Sequence, residues 1–170
     1  MRMQAPPVAT STDHVRGNAN AKGTVIVFVD YQCPYCARLH AMILALSQET
    51  GIRWIYRHFP LESHPYAENA AEAAECAGAQ NKFWEYSDAL FDPNFRIESY
   101  ASFSRVASAV GLDSKAFEAC RSSGHFAARV AAQRKDGIRR RIAGTPTFFV
   151  NGKRFAGVIP IDQLRQALVP

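Results

Sequence analysis

The sequence contains no apolar run of the length that a membrane span needs, and it has only four cysteines in 170 residues. A transmembrane helix requires about 20 consecutive apolar residues, and small proteins held together by disulfides are much richer in cysteine. Both classes are therefore excluded. With 48% hydrophobic residues, the chain is long enough to bury its own core as one compact domain. Its cysteines are not needed merely to hold the fold together.

The sequence also lacks a concentrated basic region. The formal net charge is +5, but lysine and arginine are scattered apart from the runs Arg134-Lys135 and 139–141. Aromatic residues do not alternate with basic ones in the manner of nucleic-acid-binding segments. We interpret most of this charge as solvated helix faces and expect no nucleic-acid partner.

The N-terminal segment, residues 1–20, lacks the apolar stretch of about 7–15 residues that defines a secretion signal. It is polar and rich in Pro, Ala, Ser, Thr and Asn, which predicts a flexible lead-in. Two interpretations remain open: the protein stays in the cytoplasm, or its signal peptide has already been removed from this chain.

A strand–helix–strand unit is predicted next. The β-branched and aromatic run over 24–29 is typical of a strand buried on both faces. From Cys36 to Leu46, apolar residues recur every three or four positions, which predicts an amphipathic helix that ends by Gly51. A second strand follows over 52–59. This order indicates a right-handed βαβ unit.

The middle of the chain predicts an all-helical insertion, since strand patterns are absent and helix formers dominate. Asn, Pro, Gly or Ser separate the individual segments. Five short helices are predicted within 65–78, 81–91, 99–110, 114–122 and 125–141.

Strand patterns return near the C-terminus. The segments 147–150 and 153–156 flank Asn151-Gly152, a pair typical of a tight hairpin turn, and a last helix is predicted over 160–168. The predicted fold is therefore α/β, with the order βαβ … ββα. One domain comprises residues 21–62 and 143–170, and a helical subdomain comprises residues 63–142.

The motif Cys33-Pro34-Tyr35-Cys36 falls at the junction between the first strand and the first helix. A thiol at a helix N-terminus faces unpaired N–H groups, which stabilise its thiolate and lower its pKa. Cys36, three residues later, is placed to resolve a mixed disulfide formed on Cys33. Pro34 removes a backbone donor, and Tyr35 adds a hydroxyl but no fixed charge.

Three interpretations of this motif compete: a structural staple, half of a zinc site, and a redox pair. A disulfide across two residues is strained, which argues against the staple. No second CxxC or HxxxH motif completes a zinc site, and His58 and His64 are isolated in the sequence. The redox pair is favoured, with no metal and no cofactor beyond the Cys33–Cys36 disulfide.

Four segments together resemble the DsbA-like branch of the thioredoxin superfamily: VFVDYQCPYC, YRHFPL, KFWEYSDALF and GTPTFFVNGKRF. The resemblance extends over about residues 20–169 and implies a thioredoxin fold with a helical insertion. It implies that Cys33 is the exposed nucleophile and Cys36 the buried resolving thiol. It also implies that Thr145-Pro146 forms a cis-proline loop that faces the disulfide and binds an extended substrate by strand addition.

Two departures from that family pattern carry consequences. Tyr35 stands where the best-known oxidant of the family has histidine, so we expect Cys33 to be less acidic and the disulfide less oxidising. Many relatives also have a buried acid six residues before the first cysteine, where this chain has Val27. Asp30 lies closer to the motif, but we interpret it as a turn or capping carboxylate.

The other two cysteines, Cys76 and Cys120, lie 44 residues apart in the helical insertion. Two buried free thiols acting as small apolar residues are one interpretation. The resemblance favours a structural disulfide, since some DsbA-like proteins carry one in this subdomain. A Cys76–Cys120 bridge predicts an oxidising, periplasmic or otherwise extracytoplasmic location, with a cytoplasmic one as the alternative.

The sequence thus predicts a thiol:disulfide oxidoreductase that acts on cysteine-containing proteins, as an oxidase reoxidised by a further redox partner. A reductase is the alternative, because the Pro-Tyr dipeptide also occurs in glutaredoxin. A zinc-binding or protein-docking module is the non-enzymatic alternative.

Overall fold

The computed structural model describes residues 5–18, 20–21, 23–47 and 52–168. In this part of the chain there are five strands and seven helices. The strands are β1 (Val15–Gly17), β2 (Gly23–Val29), β3 (Ile52–His58), β4 (Thr147–Val150) and β5 (Lys153–Ala156). The helices are α1 (Pro34–Leu46), α2 (Ala67–Gly78), α3 (Phe83–Phe91), α4 (Tyr100–Ala109), α5 (Ser114–Ser123), α6 (Ala127–Arg139) and α7 (Ile161–Leu168).

The strands form one mixed sheet in the order β1-β3-β2-β4-β5. Strand β2 is central; it pairs in parallel with β3 and antiparallel with β4. Strands β4 and β5 form a hairpin whose turn residues Asn151 and Gly152 have φ angles of 48° and 87°, the positive values that a tight two-residue turn requires. The predicted α/β class and the βαβ … ββα order are confirmed.

The central strand is buried on both faces, as its continuous apolar sequence predicts. Val25, Val27 and Val29 point into the larger core, which α1 and the helical subdomain cover. Ile26 and Phe28 point to the opposite face and join a smaller cluster. Each such side chain contributes about 1.5–3 kcal/mol on full burial. The strand that leads to the CxxC motif is therefore firmly held at the centre of the sheet.

Helix α6 covers the smaller apolar cluster. A Cβ atom at Gly137 would lie 2.5 Å from the ring of Phe59, so the helix packs closely only because this position has no side chain. The five helices predicted for the insertion are present as α2 to α6. Within the described residues, no helix is long and apolar enough to cross a lipid bilayer.

The segment predicted as a flexible lead-in contains β1, which the sequence did not predict. Val15–Gly17 pairs antiparallel with β3 at the edge of the sheet. The Arg57 side chain holds the chain just before it, donating to the Asp13 carboxylate at 2.9 Å and to the Val8 carbonyl at 2.7 Å. Three residues are too few to show a period of two, so this strand depends on long-range contacts. Helix α1 ends at Leu46, and the predicted boundary at Gly51 lies outside the described residues.

Candidate active site

The CxxC motif lies where the central strand turns into α1. The chain leaves β2 at Val29, turns with a hydrogen bond from the Cys33 N–H to the Asp30 carbonyl (3.1 Å), and enters the helix at Pro34. Cys33 is the N-cap residue, with extended backbone angles. Pro34 suits the first helical position because the N–H it lacks would have no partner there. The local sequence thus places the Cys33 sulfur at the positive end of the helix.

Several donors converge on the Cys33 sulfur. The Cys36 thiol donates a hydrogen bond, and the N–H groups of Cys36 and Tyr35 add to it; together they outweigh the cost of burial and lower the pKa of Cys33 to about 5. At neutral pH this sulfur is therefore a thiolate, the form that attacks disulfides.

The second sulfur is in the opposite electrostatic state. Cys36 is only 2% exposed, and burial raises the pKa of its thiol far above the ordinary range, with the hydrogen bond to Cys33 acting in the same direction. The Asp30 N–H, which donates to the Cys36 sulfur at 3.5 Å, and the Thr145 side chain oppose this shift. The pair thus consists of an acidic thiol and a thiol that stays protonated.

The Thr145-Pro146 loop lies directly against the first sulfur. The peptide bond between these residues is cis, and the Cys33 sulfur lies 3.3 Å from the Thr145 carbonyl oxygen, to which it donates when it carries a proton. The Thr145 hydroxyl is buried and has no hydrogen-bond partner among the described residues. It can donate to a thiolate, which agrees with its lowering effect on the pKa of Cys33.

Cys33 is less accessible than predicted. The residue is 4% exposed, not openly exposed, because the Thr145 backbone packs over its sulfur. Access is through a surface cavity of about 590 Å³ between the start of α1 and the loop after α3. The side chains of the motif differ in solvent exposure: Tyr35 is 55% exposed, whereas the neighbouring Cys33 is almost buried.

The wall of this cavity is mostly apolar, with charged groups from the loop after α3. The Gln32 side chain links this wall to neighbouring segments by two hydrogen bonds. Its amide oxygen accepts from the Tyr66 N–H at 2.7 Å, and its amide nitrogen donates to the Ile97 carbonyl at 3.4 Å. The cavity is lined by Tyr31, Cys33, Pro34, Ala37, Leu90, Phe91, Phe95 and Ile97, among others.

A carboxylate–histidine pair near Cys36 was not predicted. Asp30 does form the predicted turn, accepting from the Gln32 N–H at 2.7 Å. It is also 1% exposed, and its other oxygen accepts from the Leu61 N–H at 2.8 Å and from His64 Nδ1 at 2.9 Å. Asp30 and His64 are 34 residues apart, and no sequence pattern connects them.

His58, weighed above as a zinc ligand, binds a buried carboxylate. His58 Nε2 lies 2.9 Å from Glu75, which also contacts His14 Nε2 at 2.9 Å and Arg129 at 3.0 Å. Burial alone would raise the pKa of Glu75, but the hydrogen bonds from His14 and His58 hold it well below the usual range. Over the described residues, no group of three or more His, Cys, Asp or Glu side chains is arranged to hold a metal ion.

Cys76 and Cys120 form a disulfide, the pairing that the resemblance implied. The bond joins α2 to α5 inside the helical subdomain, whereas Cys33 and Cys36 are free thiols. The structure therefore groups the four cysteines into two pairs with different chemistry.

The chain is similar in sequence and in structure to known thioredoxin-like proteins. The family described as Thioredoxin matches residues 9–169. A solved thioredoxin-like oxidoreductase from Silicibacter pomeroyi DSS-3 superposes with a TM-score of 0.82 at 28% identity, over 93% of this chain and 91% of that one. The thiol-disulfide exchange protein alpha-DsbA2 from Wolbachia pipientis has the same fold, with a TM-score of 0.84 at 20% identity over 93% and 86% of the two chains.

A curated relative is much longer. The Na(+)/H(+) antiporter NhaA 3 of Salinispora tropica is 38% identical over 165 residues, which are 96% of this chain but 25% of the antiporter. The chain thus spans about a quarter of the length of that relative.

Proposed function

Because the chain belongs to the thioredoxin family, we propose that it is a thiol:disulfide oxidoreductase that exchanges disulfides with proteins through Cys33 and Cys36. The observation that carries this proposal is the contrast between the two sulfurs. Hydrogen bonds lower the pKa of Cys33 to about 5, whereas burial raises the pKa of Cys36. The Cys33 sulfur can therefore act as a nucleophile or as a leaving group, whereas the Cys36 thiol stays protonated.

The exchange proceeds through a mixed disulfide. With the enzyme oxidised, a substrate thiolate attacks the Cys33 sulfur, and the Cys33–Cys36 bond breaks. A second substrate thiolate then attacks the substrate sulfur of the mixed disulfide and expels Cys33 as a thiolate. The substrate gains a disulfide and loses two electrons, which remain on the two enzyme thiols until a redox partner removes them. The low pKa of Cys33 makes it a good leaving group in that last step.

The Thr145-Pro146 loop and the adjoining cavity are the proposed substrate site. The Thr145 backbone lies beside Cys33, where an extended peptide can pair with it in the manner of strand addition. The largely apolar cavity takes side chains that flank the substrate cysteine. Both features favour unfolded or flexible protein substrates over small thiols.

The oxidase direction is supported by the acidity of Cys33. Stabilising the thiolate stabilises the reduced enzyme, and this makes its disulfide a stronger oxidant. Tyr35 supplies no positive charge to this thiolate, so we place the protein among the milder oxidants. A reductase remains the alternative direction for the same chemistry.

An extracytoplasmic location is proposed from the second cysteine pair. The Cys76–Cys120 disulfide is a structural bond of the kind that cytosolic reductants normally prevent.

A trapping experiment tests the proposed function. With Cys36 replaced by serine, a substrate joined to Cys33 cannot be displaced from within the enzyme, so disulfide-linked complexes accumulate on non-reducing gels. Cys33→Ser removes the attacking sulfur and yields no complexes. Equal trapping by both variants, or zinc bound at one equivalent through these cysteines, contradicts the proposal and favours the docking-module alternative.

A further inference from the structure

The loop between α3 and α4, residues 92–99, forms one wall of the cavity at the CxxC motif. Its two ends are held near their own helices. The Phe95 N–H donates to the Asp92 carbonyl at 2.9 Å, and the Glu98 N–H donates to the Ser102 hydroxyl at 3.2 Å. Neither contact crosses the cavity, so neither fixes the distance between this wall and the nucleophile.

The side chain of Gln32 makes a contact that does cross the cavity. Its amide nitrogen donates to the Ile97 carbonyl in this loop at 3.4 Å, and its amide oxygen accepts from the Tyr66 N–H at 2.7 Å. Its backbone is held as well, because its own N–H donates to the Asp30 carboxylate at 2.7 Å. In the described part of the chain, no other hydrogen bond joins this loop to the CxxC motif or to the turn before it.

Glutamine is the residue type that satisfies both contacts. A backbone N–H only donates and a carbonyl only accepts, so the amide oxygen must face Tyr66 and the amide nitrogen must face Ile97. A glutamate would keep the acceptor but would lack the donor, and a methionine of similar length would make neither bond. Because Gln32 directly precedes Cys33 in the chain, the two bonds hold the loop at a set distance from the reacting sulfur.

The wall held in this way presents apolar groups to the cavity and charged groups to its rim. Phe95 and Ile97 are partly buried against the main apolar core. The side chains of Arg96 and Glu98 are 78% and 66% exposed and pair with each other at 3.4 Å. A substrate side chain that enters the cavity therefore meets rings and aliphatic groups. Such contacts require close approach, since dispersion attraction falls steeply when a gap opens.

We propose that Gln32 is a positioning residue that sets substrate specificity. It holds residues 92–99 close enough to Cys33 for the cavity to contact an aromatic or large aliphatic side chain next to the substrate cysteine. This inference rests on the thiol–disulfide exchange proposed above and names the class of protein substrate that the site selects. Without the two side-chain bonds of Gln32, the loop is free to move away, and the contacts with that substrate side chain are lost.

Two reduced peptides, each with two cysteines, test this proposal. The residues that flank the first cysteine are phenylalanine in one peptide and alanine in the other. The oxidised protein is mixed with each peptide in a single turnover, and mass spectrometry of acid-quenched samples gives the rate constant of peptide oxidation. The measured quantity is the ratio of the two rate constants. The rate of reduction by 2-mercaptoethanol, which has no side chain for the cavity, corrects for any change in the reactivity of the Cys33–Cys36 disulfide.

For the wild-type protein we expect the phenylalanine peptide to react at least about tenfold faster, the lower end of what an apolar group gains in a hydrophobic pocket. Gln32→Met should lower this ratio by about 2- to 10-fold, the effect of losing one hydrogen bond. Gln32→Glu should lower it as well, because the carboxylate cannot donate to the Ile97 carbonyl.

The matched control is Gln80→Met. Gln80 also makes one donor and one acceptor bond through its side chain, both to the backbone of Asp113 in the helical subdomain. Neither residue lines the cavity at the motif. This variant should therefore keep the wild-type ratio.

Each outcome bears on a different claim. Equal rates for the two peptides in the wild-type protein overturn the inference while the proposed function stands. A ratio that both Gln32 variants keep, even if both rates fall together, shows a merely structural role and overturns it as well. Failure of the oxidised wild-type protein to oxidise either peptide would instead refute the proposed function. If Gln32→Met does not fold, Gln32→Glu decides, since it retains the acceptor for the Tyr66 N–H.

Discussion

The two cysteine pairs occupy contrasting surroundings. Cys33 and Cys36 are free thiols at a helix N-terminus, beside a surface cavity, where hydrogen bonds and burial drive their pKa values apart. Cys76 and Cys120 are joined between two packed helices. We propose that the thiol side chain serves disulfide exchange at the first site, whereas it forms a cross-link at the second. The Cys33–Cys36 pair differs from the Cys76–Cys120 pair because N–H groups donate to its first sulfur and a surface cavity leads to it.

The largest expected effect is the loss of exchange when the active pair is broken. Cys33→Ser should lower the rate of oxidation of a reduced peptide by more than about 10³-fold, because serine cannot form a mixed disulfide. The assay compares the rate of peptide oxidation by Cys33→Ser with the rate by the control variant Cys120→Ser at the same protein concentration. Retention of activity in Cys33→Ser would rule out the assignment of the nucleophile.

Removing the Cys76–Cys120 disulfide should lower the stability of the fold without changing the redox properties of Cys33 and Cys36. The double variant Cys76→Ser/Cys120→Ser opens a loop of 44 residues, and we expect a loss of about 2–4 kcal/mol in the free energy of unfolding. Urea denaturation measures that loss. The reduction potential of Cys33–Cys36 should stay the same, and a large change in it would show that the two pairs are coupled.

Glu75, the buried carboxylate next to Cys76, should make a contribution to the free energy of unfolding that depends on pH. The pKa of Glu75 is lowered in the folded protein, so its stabilisation is present above the unfolded value of about 4.3 and is lost as the pH falls through the folded value. Glu75→Gln should cost about 3 kcal/mol at pH 7, since it leaves the buried His58 without its charged partner. Unfolding measured from pH 7 down to pH 3 should show the difference from wild type shrinking. A constant difference would contradict this role.

The smallest expected effect concerns the hydroxyl over the active pair. Thr145→Val removes a group that lowers the pKa of Cys33, so the thiolate should be less stable and the disulfide slightly less oxidising. One hydrogen bond of about 0.5–1.5 kcal/mol corresponds to a fall of about 10–30 mV in the reduction potential. Redox titration of the variant measures this fall in potential. A shift to a more oxidising potential would contradict the claim that the hydroxyl stabilises the Cys33 thiolate.

Local patterns predict most of the fold and the centre of the site. The run over 24–29 and the apolar period from Cys36 to Leu46 are short-range signals, and they place the CxxC motif at a strand–helix junction. The Asn151-Gly152 turn likewise marks the terminal hairpin. Secondary structure and helix-end chemistry follow from neighbouring residues, so the sequence displays them directly.

The features that the sequence did not reveal depend on residues far apart in the chain. Asp30 meets His64 across 34 residues, and His14 meets Glu75 across 61. Each is an ordinary polar residue in its own segment, and only folding brings it into contact with its partner. The low exposure of Cys33 has the same origin, because the residue that covers it, Thr145, is 112 positions away.

The most direct test of the contrast between the pairs is a redox titration in glutathione buffers, with mass spectrometry to identify the oxidised cysteines. We expect a reduction potential above about −200 mV for Cys33–Cys36, while Cys76–Cys120 remains oxidised to below about −300 mV. A potential below about −240 mV for Cys33–Cys36, with Cys76 and Cys120 free, would contradict it and identify a cytosolic reductase.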